Sequence, residues 1–236
     1  MGLLIDIGVA KTNKYASRES GDTVEVVERP GGGISAVVCD GQGSGRAAKT
    51  LSVLVTSKAV AMLTEGVRDG AVARGVHDSL FAFRHGQVSA TLEILSVDLR
   101  SNTVVATRNT VTPMIAGPIG APHLYESDAG PIGRYHLGRP HVAQWPLEIG
   151  FVAVVVTDGV VTAGRHCGHS PIDLLTWVAD VDPATPAADL AHRLLVEAIA
   201  LDRDRPGDDM SVVALRLRES ETEPLVRRMA VQIPLP

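Results

Sequence analysis

Phe151-Val152-Ala153-Val154-Val155-Val156-Thr157-Asp158-Gly159 is apolar on both alternating faces until it ends in an acid and a glycine. A strand covered on both sides has this pattern. Ile34-Ser35-Ala36-Val37-Val38-Cys39-Asp40-Gly41 repeats the arrangement earlier in the chain. Working outward, segments rich in Val, Ile and Thr and bounded by turn residues read as further strands. They are Leu3–Val9, Thr23–Glu28, Ala90–Leu99, Thr103–Arg108, Met114–Ala116, Val142–Pro146, Ser211–Leu217 and Val226–Ile233. Helices interrupt the pattern in pairs. Ala47, Ala48, Leu51, Leu54, Val55, Ala59 and Met62 recur at helical spacing over residues 46–63, and a weaker pattern covers 69–84. Ser170-Pro171-Ile172-Asp173 has the form of a capping box with Pro at the first helical position. Thr185-Pro186 opens a last helix with Leu190, Ala191, Leu194, Leu195, Ala198 and Ile199 on one face. Strands in runs with paired helices predict an α+β sandwich flanked by helices, not alternating βαβ units. No repeat or linker divides the chain, so residues 1–236 read as a single domain.

Composition narrows the function classes. The 236 residues are 45% apolar and 21% charged, with a formal net charge of −5. That is ample for a core and excludes wholesale disorder. The longest purely apolar runs fall well short of the ~20 residues of a spanning helix. The start Met1-Gly2-Leu3-Leu4-Ile5-Asp6 lacks a basic lead, so neither signal peptide nor membrane partner is expected. Two cysteines, Cys39 and Cys167, cannot build a disulfide framework, which points to the cytoplasm. An acidic chain with three Tyr, three Phe and two Trp is a poor nucleic-acid binder.

Acid placement carries the chemistry. Asp40-Gly41 and Asp158-Gly159 each follow an apolar strand, Gly21-Asp22 precedes one, and Asp208-Asp209 precedes another. Carboxylates gathered at strand ends repel unless a cation neutralises them. Oxygen ligands without neighbouring His or Cys suit hard cations such as Mg²⁺ or Mn²⁺, and a glycine after the acid allows close backbone approach. Acid–glycine pairs are also ordinary turn formers, so spacing alone leaves both readings open.

Four ordered motifs resemble a known family. Ser20-Gly21-Asp22, Asp40-Gly41-Gln42-Gly43-Ser44-Gly45-Arg46-Ala47-Ala48, Thr157-Asp158-Gly159-Val160 and Gly207-Asp208-Asp209-Met210-Ser211-Val212-Val213 are similar to those of metal-dependent protein phosphatases. The likeness is to the protein phosphatase 2C-like enzymes, bacterial stage II sporulation protein E branch, over residues 14–217; Thr107-Arg108-Asn109 through Pro113 also resembles a strand of that branch. The resemblance implies a four-layer α-β-β-α sandwich of two antiparallel sheets. It implies two Mn²⁺ or Mg²⁺ ions bridged by Asp40, with the Gly41 carbonyl assisting one ion and Asp158 and Asp208 completing the other's shell. Asp22 matches the acidic position that orders the metal-bound waters. Asp40, Asp158 and Asp208 would then be catalytic, with Asp208 preferred to Asp209 as ligand. A water held between the ions would attack phosphoserine or phosphothreonine directly. No protein nucleophile is needed, and Cys39 reads as an inert buried thiol.

Two departures stand out. Eukaryotic members carry His where this chain has Gln42, which cannot protonate a leaving group. Their phosphate-binding Arg falls at Ser17, beside Arg18. His166-Cys167-Gly168-His169 lacks a fourth ligand for a soft metal, and Arg227-Arg228 reads as a solvated or edge-protecting pair. With the chain taken up by the catalytic domain, the resemblance is to stand-alone, RsbX-like forms. The implied partner is a phosphorylated regulatory protein of the anti-sigma antagonist (STAS) or stressosome class. Residues 117–140 and 160–170 are the candidate recognition loops. A pseudo-phosphatase binding module and a hydrolase of small phosphoesters are the alternatives.

Overall fold

β9 (Phe151–Val156) sets the layering, because both of its faces are buried. Val152, Val154 and Val156 pack among helix residues such as Leu190 and Leu194. Ala153, Val155 and Phe151 face the opposite sheet, among Ala36, Val38 and Leu95. The computed structural model describes residues 2–134, 136, 138–220 and 226–233. Its first sheet runs β1 (Gly2–Thr12), β10 (Met210–Ser220), β9, β6 (Met114–Pro118), β7 (His123–Tyr125). The second runs β2 (Asp22–Glu28), β3 (Ile34–Asp40), β4 (Leu92–Asp98), β5 (Thr103–Asn109), β8 (His141–Pro146). Every pairing is antiparallel.

Helices α1 (Gly45–Thr64) and α2 (Asp69–Arg84) cover the second sheet, where Leu51, Val55 and Val76 meet Val37 and Cys39. α4 (Leu174–Ala179) and α5 (Ala187–Leu201) cover the first. The result is the expected four-layer α-β-β-α sandwich. α1 is long and apolar enough to cross a membrane, at 20 residues and a mean hydropathy of 1.2. Its Leu51, Val55, Ala59 and Leu63 are instead buried against the sheet.

Several expectations need correction. Residues 226–233 form no strand; Val226, Val231 and Ile233 are exposed. Strand propensity needs an edge to pair with, and the segment's recorded tie is an exposed Arg227–Glu28 ion pair of 2.8 Å, which is worth little. The helix expected from Ser170 begins only at Leu174. Asp173, assigned to the third helical position, is the cap itself and accepts from the Thr176 amide at 3.2 Å. Strand β4 starts at Leu92, with Ala90 in an isolated bridge. Residues 160–170 are no simple surface loop. They hold the end of α3 (Asp158–Thr162) and a 3-10 turn, with Val160 and Ala163 buried. The short β7 went unread inside a Pro-rich stretch.

Arg108 ties the two sheets together from the core, at 1% exposure. Its Nε donates to Glu93 Oε2 at 2.7 Å, Nη1 donates to the Tyr125 carbonyl at 2.9 Å, and Nη2 donates to the Thr112 carbonyl. Arg108→Met leaves Glu93 buried without its counter-charge, a loss of about 3–5 kcal/mol. Thermal denaturation should show a midpoint lowered by roughly 10 °C. The double variant Arg108→Met/Glu93→Gln should recover part of that loss, and no recovery would mean the charge pair is not what matters.

Candidate active site

The end of β3 and the start of β2 lie side by side, with Asp40 opposite Asp22 in the ladder. The end of β9 and the start of β10 are likewise neighbours in the other sheet, which places Asp158 and Asp208 at the same end. Asp22 joins the two sheets. It is buried, and its Oδ2 accepts hydrogen bonds from Thr157 Oγ1 at 2.9 Å and Ser211 Oγ at 2.7 Å. Ser20 Oγ accepts from the Asp22 amide at 3.1 Å. The Asp22 carbonyl accepts from Lys11 Nζ at 2.9 Å and Lys49 Nζ at 3.0 Å. The structure thus brings Asp22, Asp40, Asp158 and Asp208 together.

Their ionisation shows what the gathering costs. Burial is the main cause lifting the Asp40 carboxyl to about 8, with Asp22, Asp158, Asp208 and Asp209 adding repulsion. Burial lifts Asp22 to about 6 against the opposing pull of the Ser211 and Thr157 hydroxyls. Asp158 is raised by burial and then by Asp208. The donors are all oxygen and mutually repelling, which suits a hard divalent cation. Among the described residues no three His, Cys, Asp or Glu side chains stand as a ready-made cage. Carboxylates that repel one another have reason to stay apart without a cation.

The glycines have a packing reason that sequence reasoning misread. A Cβ at Gly41 would collide with the Ala48 carbonyl of α1, and one at Gly159 with the Asp209 carbonyl. Both are required by close backbone approach within the protein, whatever their carbonyls bind. Gly41 is buried, and its amide donates to the Gly21 carbonyl at 3.4 Å.

Asp208 and Asp209 have different surroundings. Asp209 is buried and accepts from the Lys14 amide at 2.8 Å and the Gly21 amide at 2.7 Å, stapling the β1–β2 connection. Asp208 is half-buried, and its Oδ1 accepts from the Asp209 amide at 2.9 Å. Sequence reading missed Lys11, Lys49, Thr157, Ser211 and Asp202. Asp202 accepts from the amides of Gly164 and Gly207, each at 2.7 Å, linking the segment after Asp158 to the one before Asp208. No spacing signal in the chain announces such main-chain contacts.

The two departures are also placed. Gln42 Oε1 accepts from the Ser89 amide at 2.9 Å, which ties it to the α2–β4 connection. Ser17 Oγ donates to the Glu19 carbonyl at 2.7 Å, and Arg18 is exposed. His166 and Cys167 lie in the 3-10 turn, and no metal grouping forms there among the described residues. Cys39 is fully buried and its thiol is pushed well up, first by burial, as an inert thiol would be.

Comparisons with known proteins agree with this fold. The family model for stage II sporulation protein E (SpoIIE) matches residues 30–218. The structure of the PP2C phosphatase domain and a regulatory-domain fragment of SpoIIE from Bacillus subtilis superposes with a TM-score of 0.82 at 20% identity. That match covers 93% of this chain and 65% of the other. The RsbU and RsbW domains of a Mycobacterium tuberculosis protein give 0.70 at 22% identity, over 91% of this chain and 60% of that one. RsbX in complex with magnesium gives 0.67 at 14% identity, over 90% and 95%. No curated protein matches the chain by sequence.

The raised Asp40 carboxyl has a signed consequence. The folded metal-free protein favours its protonated form, so stability present below the ordinary carboxylate range is lost as pH rises towards about 8. Asp40→Asn should therefore raise the metal-free thermal midpoint at pH 8, by at least about 3 °C, and leave it unchanged near pH 3. Asp209→Asn should lower the midpoint while Asp208→Asn does not, because only Asp209 accepts buried main-chain amides from another segment. Equal losses for these two would contradict the division of roles.

Proposed function

The chain belongs to the SpoIIE family and has its PP2C-like phosphatase fold, and from that premise we propose that it is a metal-dependent protein serine/threonine phosphatase. The single observation that carries this reading is the convergence of Asp22, Asp40, Asp158 and Asp208 at one end of the sandwich, with Asp40 raised first by burial and then by the other acids. Residues 1–236 act as one catalytic domain in this reading. Asp40, Asp158, Asp208 and the Gly41 carbonyl would hold two Mn²⁺ or Mg²⁺ ions, and Asp22 would order water beside them. When bound, such ions supply Lewis acidity and balance charge on the phosphoryl oxygens.

The chain's own residues do the positioning. Thr157 and Ser211 fix the Asp22 carboxylate, and Asp209 fixes the segment that carries it. Neither cysteine serves as nucleophile. Gln42 has no acidic proton, so the leaving oxygen must draw its proton from solvent at the site. Ser17 offers no cation to the phosphate, so affinity has to come from contacts remote from the reacting centre. A surface depression formed by Asp128–Pro131 and Gly138–His141 suits that role. It adjoins the acid end through the bridges Ala90–Ile132 and Gly41–Ala90. The substrate in this reading is a folded, phosphorylated regulatory protein of the STAS or stressosome class, met in the cytoplasm without membrane or nucleic acid. The RsbX and RsbU neighbours support it.

Dephosphorylation should vanish in excess EDTA and return with Mn²⁺ or Mg²⁺. A phosphorylated STAS protein should be turned over with a kcat/KM at least about tenfold above that of a peptide spanning its phosphosite. Cation binding without turnover of either would identify a binding module instead. Equal kcat/KM for protein, peptide and an aryl phosphate would identify a hydrolase of small phosphoesters.

A further inference from the structure

We propose that Lys11 and Lys49 are resident counter-cations of the acid cluster, which balance part of its charge in the metal-free protein and thereby hold its divalent-cation affinity down. The inference rests on the metal-dependent reading above. Lys11 projects from β1 in the first sheet, and Lys49 projects from α1, which covers the second. Both ammonium groups end on one atom, the Asp22 carbonyl oxygen, at 2.9 and 3.0 Å. Lys49 Nζ also donates to Thr23 Oγ1 at 3.0 Å.

Two ammonium groups on one oxygen repel each other, and a carbonyl is satisfied by a single neutral donor. Burial and then Lys49 push the Lys11 ammonium down, against the pull of the nearby Asp22, Asp209 and Glu25. The chain contains four lysines, Lys11, Lys14, Lys49 and Lys58, and two of them meet at this carbonyl. Lysine suits the task because its charge is compact and its stem can follow a moving target. A cation arriving among the acids meets two positive charges held on the Asp22 carbonyl. By Coulomb's law with ordinary salt screening, the pair should weaken divalent binding roughly five- to tenfold. The same pair stabilises the acids before a metal arrives. Lys11 and Lys49 are therefore positioning residues with opposite effects on the two states.

The opposite signs make the test. The double variant Lys11→Gln/Lys49→Gln keeps an amide donor for the Asp22 carbonyl and removes both charges. Calorimetric titration of Mn²⁺ into metal-free protein should show about five- to tenfold tighter binding than wild type, with the gap narrowing at high salt. Its metal-free thermal midpoint should fall. Lys11→Arg/Lys49→Arg retains the charges and should bind within about twofold of wild type. Should the double Gln variant fail to fold, Lys11→Gln alone should give a smaller tightening of the same sign. Unchanged or weaker Mn²⁺ binding in the Gln variants would overturn the proposal and leave a purely structural clamp. So would equal tightening in the Arg variant. A wild-type protein that takes up no Mn²⁺ would remove the metal reading itself; wild-type binding without tightening removes only this inference.

Discussion

One carboxylate oxygen, Asp22 Oδ2, holds the acid end of the sandwich together. It accepts from Thr157 and Ser211, which belong to the opposite sheet. The same two residues are joined to each other, with the Thr157 amide on the Ser211 carbonyl at 3.0 Å and the Ser211 amide on Thr157 Oγ1 at 2.8 Å. This matters because β9 is apolar on both faces. A one-residue slip of such a strand exchanges valine for valine, and burial alone cannot forbid it. The polar residues at its end fix the register, and in doing so they fix where Asp158 begins.

The network also shows which effect wins. A hydrogen bond to a charged group contributes about 1.5–3 kcal/mol, and Asp22 receives two from hydroxyls. Its carboxyl is nonetheless raised to about 6, so burial outweighs both bonds. At Asp40 no hydroxyl helps, repulsion from the other acids adds to burial, and the shift is larger. In the metal-dependent reading, the arrangement that destabilises these acids without a cation is the one that would favour an incoming one, so stability and site chemistry would oppose each other here.

The scaffold absorbs this conflict through main-chain contacts. Asp209 accepts two amide hydrogens from a distant segment, and Asp202 accepts one from Gly164 and one from the nearby Gly207. Gly41 and Gly159 let α1 and the Asp209 backbone come close enough to seat the acids. The repelling side chains are therefore carried on backbone that has few other places to go.

The sequence by itself determined the layers and pointed to the four acids that the fold brings to one end. Apolar runs on both faces in Ile34–Asp40 and Phe151–Val156, and helical spacing in residues 46–63, are local patterns of a layered core. The order of the acid–glycine motifs added the family. It misjudged residues 226–233, because strand propensity says nothing about whether an edge is free to pair. It also misjudged Ser170–Asp173, where a capping pattern fits equally well one turn later. Only the tertiary structure showed that Asp209 and Asp202 accept main-chain amides while Asp40 lies among other acids. It also decided that Lys11, Lys49, Thr157 and Ser211 serve Asp22, and that the glycines answer to helix and backbone packing. Those relations join residues up to 195 positions apart. They depend on three-dimensional distance and burial, which a one-dimensional spacing does not encode.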